Sequence, residues 1–61
     1  MRYSLRVLRV GFAYDIYYSF NDLEKAKEVA NNWANSKDAI EVEIYDSEIM
    51  HPIYFKEVNN G

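Results

Sequence analysis

Sixty-one residues with a net charge of -3 make one domain at most, and a chain this short buries only about 60% of the surface its unfolded form exposes. Hydrophobic residues are 49% and charged residues 28%, a balance that excludes a disordered chain and points to a folded one with a small core. Small domains reinforce such a core with disulfides, a structural metal or oligomerisation. With no cysteine and the single histidine His51, a disulfide and a nitrogen–sulfur zinc site are excluded, no metal or other cofactor is expected, and self-association or an unusually good core is left.

Residues 2 to 10 read as the first strand. Tyr3, Leu5 and Val7 alternate in one parity and Leu8 and Val10 continue in the other, which implies either a bulge near Val7 and Leu8 or burial on both faces. Met1 leads straight into this segment and its three arginines, Arg2, Arg6 and Arg9, with no apolar leader. No run approaches the roughly 20 apolar residues of a membrane span, so a cytoplasmic address without a membrane partner is expected.

The second strand is expected at about 12 to 20. The stretch GFAYDIYYSF, residues 11 to 20, holds five of the ten aromatic side chains. Phe12, Tyr14, Ile16, Tyr18 and Phe20 share one parity, which puts four of those aromatics beneath a covering element and leaves Tyr17 on the opposite side with Asp15 and Ser19.

A helix follows at about 22 to 35. Asn21 is the expected N-cap, Glu24 stands three residues later as a capping box requires, and Asp22 and Glu24 place negative charge at the positive end of the helix dipole. Leu23, Ala26, Val29, Ala30, Trp33 and Ala34 share one face, and the charged residues lie elsewhere.

The third strand, 39 to 46, turns Ile40, Val42 and Ile44 inward and Glu41, Glu43 and Tyr45 outward. After a turn the fourth, about 49 to 58, is expected to place Ile49, Ile53 and Phe55 inward and Met50, Tyr54, Lys56 and Val58 outward, with Pro52 marking a sheet edge. A short tail, Asn59-Asn60-Gly61, is expected to fray.

The order ββαββ gives an α+β domain over 1-61, a four-stranded antiparallel sheet with one helix on one face. Spatial order 2-1-3-4 brings Arg2 and Arg6 beside Glu41 and Glu43, where opposite charges on neighbouring strands contribute about 0.2 to 1 kcal/mol each; order 2-1-4-3 is the alternative. The helix-free face is then expected to display Arg2, Arg6, Leu8, Val10, Tyr17, Tyr45, Tyr54 and Val58, a mixture of aromatics and arginine typical of protein interfaces. Glu41, Glu43, Asp46, Glu48 and Glu57, against Lys56 alone, make the second half of the chain an acidic surface.

Catalytic patterns are weak. His51 has no cysteine or second histidine to partner it, the spacing of Asp46 and Glu48 fits no calcium loop, and Gly11 and Gly61 build no phosphate cradle. Exposed tyrosines beside arginines could also stack nucleic-acid bases or a nucleotide. The acidity of the same face disfavours that partner, because such affinity rests on neutralising phosphates. The reverse arrangement, carboxylates that imitate a phosphate backbone and occupy a basic site on a nucleic-acid enzyme, suits the charge better.

The run SFNDLEKAKEVANNWANSKDAIEVEIYDSE resembles a pattern of small phage and mobile-element accessory proteins: an aromatic strand, a "DLEKAKE" helix, an "EVEIYD" strand and a closing hairpin. The resemblance is to the anti-defence, immune-inhibitor type. It implies a non-enzymatic protein, a homodimer that binds a host defence protein or sequesters its signal in the bacterial cytoplasm, and it assigns no individual residue a role.

Overall fold

A computed structural model describes residues 1–11 and 15–58. The elements follow the expected order: β1 (Tyr3–Arg9), β2 (Ile16–Phe20), α1 (Leu23–Ala34), β3 (Ala39–Asp46) and β4 (His51–Glu57). The strands form one sheet in the order β2-β1-β3-β4, and all three pairings are antiparallel, which excludes the alternative 2-1-4-3. Phe12, Tyr14 and the tail Asn59-Asn60-Gly61 lie outside the described residues.

The core follows from parity. Tyr3, Leu5 and Val7 of β1 stand between Phe20, Tyr18 and Ile16 of β2 and Asp46, Ile44 and Val42 of β3. Leu5, Val7, Val42 and Ile44 are fully buried, each contributing about 1.5–3 kcal/mol relative to exposure. Above them the helix presents Ala26 and Ala30, also fully buried, whose small side chains let its axis settle close to the sheet, while Leu23, Val29 and Trp33 flank the contact. The indole N–H of Trp33 donates to the Tyr18 hydroxyl at 3.2 Å, and the rings of Tyr18 and Phe20 stack with centroids 6.2 Å apart.

The helix is capped one residue later than the sequence pattern suggests. Asp22, not Asn21, has extended backbone and accepts the N–H of Glu24 on its carboxylate at 3.0 Å, while its carbonyl accepts from Ala26. An Asp-Leu-Glu start lets the cap reach the second helical residue and leaves Glu24 in the first turn, where its charge suits the dipole.

Two irregularities shape the sheet. Leu8 faces Glu41 but Arg9 faces Ala39, so Ile40 is an extra residue in β3. Of the two readings of the phase switch at Val7 and Leu8, a bulge or burial on both faces, the sheet does carry a bulge, one step later and on the partner strand. The second has larger consequences: Ile44 faces Tyr54 but Tyr45 faces Pro52, so Ile53 is an extra residue in β4. Without it Ile53 would oppose Ile44 and point inward, as the alternation predicts. With it the parity flips.

Tyr54, expected outward, is turned in beside Ile44 and packs on the core, as does Val58 just beyond the strand. Ile53 and Phe55, expected inward, are exposed, and Ile49 lies exposed in the turn, which ends at Met50 with a left-handed φ of 54. β4 thus begins at His51, and Pro52 sits on an edge strand as expected.

Candidate interaction surface

The helix-free side of the sheet is organised by cross-strand rows. In the middle row, Arg6 stands opposite Tyr17 of β2 on one side and Glu43 of β3 on the other, and Glu43 stands opposite Phe55 of β4. The row therefore reads Tyr17, Arg6, Glu43, Phe55. An aromatic ring closes each end, both more than half exposed, at 66% for Tyr17 and 55% for Phe55. Strands about 4.8 Å apart put these two positions about 14 Å from each other. The neighbouring rows add Ser19, Ser4, Tyr45 and Pro52 on one side and Leu8, Glu41 and Glu57 on the other.

Arg6 is a hub. Its Nη1 donates to Asp15 at 3.1 Å, its Nε to Glu43 at 3.2 Å and its Nη2 to Glu41 at 3.3 Å. Hydrogen bonds donated to Asp15 first, then to Glu43 and Glu41, raise its already high pKa against the opposing effect of desolvation, so it is cationic at every relevant pH. Each carboxylate gives Arg6 one oxygen. One positive charge thus faces three negative ones. In the next row Glu41 and Glu57 stand opposite each other with like charge, an arrangement that destabilises a sheet.

The residues expected on this face divide. Arg6, Leu8, Tyr17 and Tyr45 lie on it, joined by Glu41, Glu43 and Glu57, and Val10 is exposed just past β1. Tyr54 and Val58 do not belong to it, because the Ile53 bulge turns them to the helix side. Arg2 is also elsewhere: it is committed to the corner where the chain start meets the β3–β4 turn, with its guanidinium 5.1 Å over the Tyr3 ring. There it holds Asp46 and also Glu48, the latter at 3.3 Å.

Asp46, expected on the acidic surface, is therefore a buried structural residue. Its carboxylate accepts from Arg2 and from the Glu48 backbone, and the Arg2 hydrogen bond holds its pKa below the usual value. Phe55 is the member that sequence reasoning missed, and Asp15, already set on the side of Tyr17, was not foreseen as a partner of Arg6. Asp15 shares the parity of Tyr17, a signal already in the alternation of the second strand.

A shallow cleft of about 700 Å³ runs between α1 and β4, lined by Tyr54 and by residues of both charges, among them Asp22, Glu24, Lys25, Lys27 and Glu28. His51 is exposed. Among the described residues there is no group of three or more potential metal ligands and no helix long and apolar enough to cross a membrane. No known protein family matches the chain, and no curated protein or solved structure matches it.

Proposed function

We propose that the protein is a non-enzymatic protein-binding module whose working surface is the helix-free sheet face. One observation carries the reading: an extra residue in β4 turns the apolar Phe55 out of the core and into the same row as Tyr17. The bulge packs Tyr54 and Val58 on the core and leaves Ile53 and Phe55 exposed, so Phe55 forgoes the stabilisation that its burial would bring. Bulges recur where a side chain must be re-aimed, and a face with separated aromatics around fixed charges has the make-up of an interface centre. Activity by occupancy of a partner's surface is also what the resemblance to phage-type inhibitors of host defence proteins implies.

Site-specific photo-crosslinking in cells tests the reading. A benzophenone side chain at position 55 should give a discrete protein adduct, and the same group at Lys25 on the outer helix face should not. An adduct at twice the mass of the chain identifies a second copy as the occupant; any other mass identifies a different protein. Adducts from Lys25 alone, or from neither position, overturn the proposal.

A further inference from the structure

We infer that the occupant of this face is a protein segment bearing arginine or lysine between apolar residues, rather than a second copy of this chain. The inference rests on the reading of the face as a protein-binding surface and adds the chemistry of the partner.

Charge decides between the occupants. Asp15, Glu41 and Glu43 hold the single guanidinium of Arg6, and in the next row Glu57 opposes Glu41 directly. Two copies packed face to face would bring four such carboxylates from each side against one arginine from each, and burying unbalanced like charges is unfavourable. A cationic side chain set over Glu41 and Glu57 removes the repulsion instead. It also finds acceptors in place, because Arg6 takes one oxygen from each of Asp15, Glu41 and Glu43.

The aromatic ends of the middle row fix what must flank that cation. Phe55 lies on the strand of Glu57 and Tyr17 beside Arg6, at the two ends of the row next to that of Glu41 and Glu57, so apolar neighbours of the incoming base that run along this row meet a ring at each end. The edge of β4 is a poorer site for an added strand, since Pro52 lacks an N–H, the Ile53 bulge breaks the ladder and Lys56 adds a charge, all devices that blunt sheet edges. On the β4 side of the sheet the face, rather than the edge, is therefore the surface open to a partner.

The test titrates ¹⁵N-labelled protein with a synthetic peptide of alternating arginine and leucine, with an alternating glutamate and leucine peptide as its counterpart. The arginine peptide should bind saturably, with amide shifts concentrated at Arg6, Tyr17, Glu43, Phe55 and Glu57. Binding should weaken about ten-fold or more in Glu57→Gln and in Phe55→Ala, the scale of one lost charge-assisted or apolar contact. It should also weaken as added salt shortens the screening length from about 10 Å at 0.1 M to about 3 Å at 1 M.

Glu57→Gln removes a repulsion and so keeps the fold, which leaves its effect on binding interpretable. Equal binding of both peptides, shifts confined to the α1–β4 cleft, unchanged affinity in Glu57→Gln, or no saturable binding overturns the inference. If the peptide fails while position 55 still gives an adduct in cells, the protein-binding reading stands and only the basic partner falls.

Discussion

Both carboxylate oxygens of Asp46 hold the guanidinium of Arg2, one at 2.9 Å from Nε and the other at 2.9 Å from Nη2, although Asp46 is only 3% exposed. The pair closes the corner of the sheet, where the Ser47 N–H and hydroxyl also donate to the Arg2 carbonyl. Asp46 has a pKa below its ordinary 3.8, chiefly because of the Arg2 hydrogen bond and despite desolvation, which acts the other way. A carboxylate lowered in the folded state contributes stability that is complete above the unfolded value and is lost as pH falls through the folded one.

Asp46→Asn should therefore lower the melting temperature at neutral pH. The gap to the wild type should hold down to about pH 5 and close progressively below about pH 4, as protonation removes the same interaction from the wild type. Thermal unfolding across that range measures it, and a gap independent of pH would show that Arg2 and Asp46 contribute no ionic stabilisation.

A polar contact ties the helix to the sheet beside its apolar ones. Tyr18→Phe leaves the Trp33 indole N–H without its acceptor at a half-buried site and should cost about 0.5–1.5 kcal/mol. In a domain this small that corresponds to a fall of about 4–8 °C for each kcal/mol. Trp33 is the only tryptophan, so its emission reports both the lost hydrogen bond and the unfolding transition. No change in either signal would mean that the contact is not maintained in solution.

Cap position separates two adjacent residues. Asp22→Ala removes the acceptor of the Glu24 N–H and should cost about 1 kcal/mol. Asn21→Ala should stay within about 0.5 kcal/mol, as exposed substitutions away from special features do. Urea unfolding of the two variants decides between them, and the reverse order of effects would restore the capping box at Asn21.

Much of the fold was legible because it depends on local alternation. Tyr3, Leu5 and Val7, the Ala26 and Ala30 face, and Val42 and Ile44 all point where their parity directs. The strand order was legible from charge: Arg6 does meet Glu41 and Glu43, though Arg2 prefers Asp46. The bulge at Ile53 was not legible, because one residue inserted in a ladder leaves no trace in composition or period, yet it reverses every side chain after it. That single residue exchanged Tyr54 and Val58 for Phe55 on the candidate surface.

Phe55 provides the sharpest check on that exchange. A buried phenylalanine truncated to a small residue costs about 3–5 kcal/mol. At 55% exposure, Phe55→Thr should instead change stability by no more than about 0.5 kcal/mol, within the range of ordinary surface substitutions. Tyr54→Ala, at the half-buried position facing Ile44, should be clearly destabilising. If Phe55→Thr is the more damaging of the two, the strand has the unbulged parity and the proposed surface loses its aromatic end.

The opposition of Glu41 and Glu57 links stability to the proposed activity. Like charges directly opposite on neighbouring strands destabilise a sheet, whereas an opposite-charge pair contributes about 0.2–1 kcal/mol. Glu57→Lys should therefore raise the melting temperature by a few degrees, since about 1 kcal/mol corresponds to about 4–8 °C at this size. The same variant places a cation where the incoming base would sit, so it should also lose the arginine–leucine peptide. A gain in stability together with loss of binding is the signature of a residue held for recognition at the expense of the fold. A gain with binding intact would overturn the inference of a basic partner held over Glu41 and Glu57.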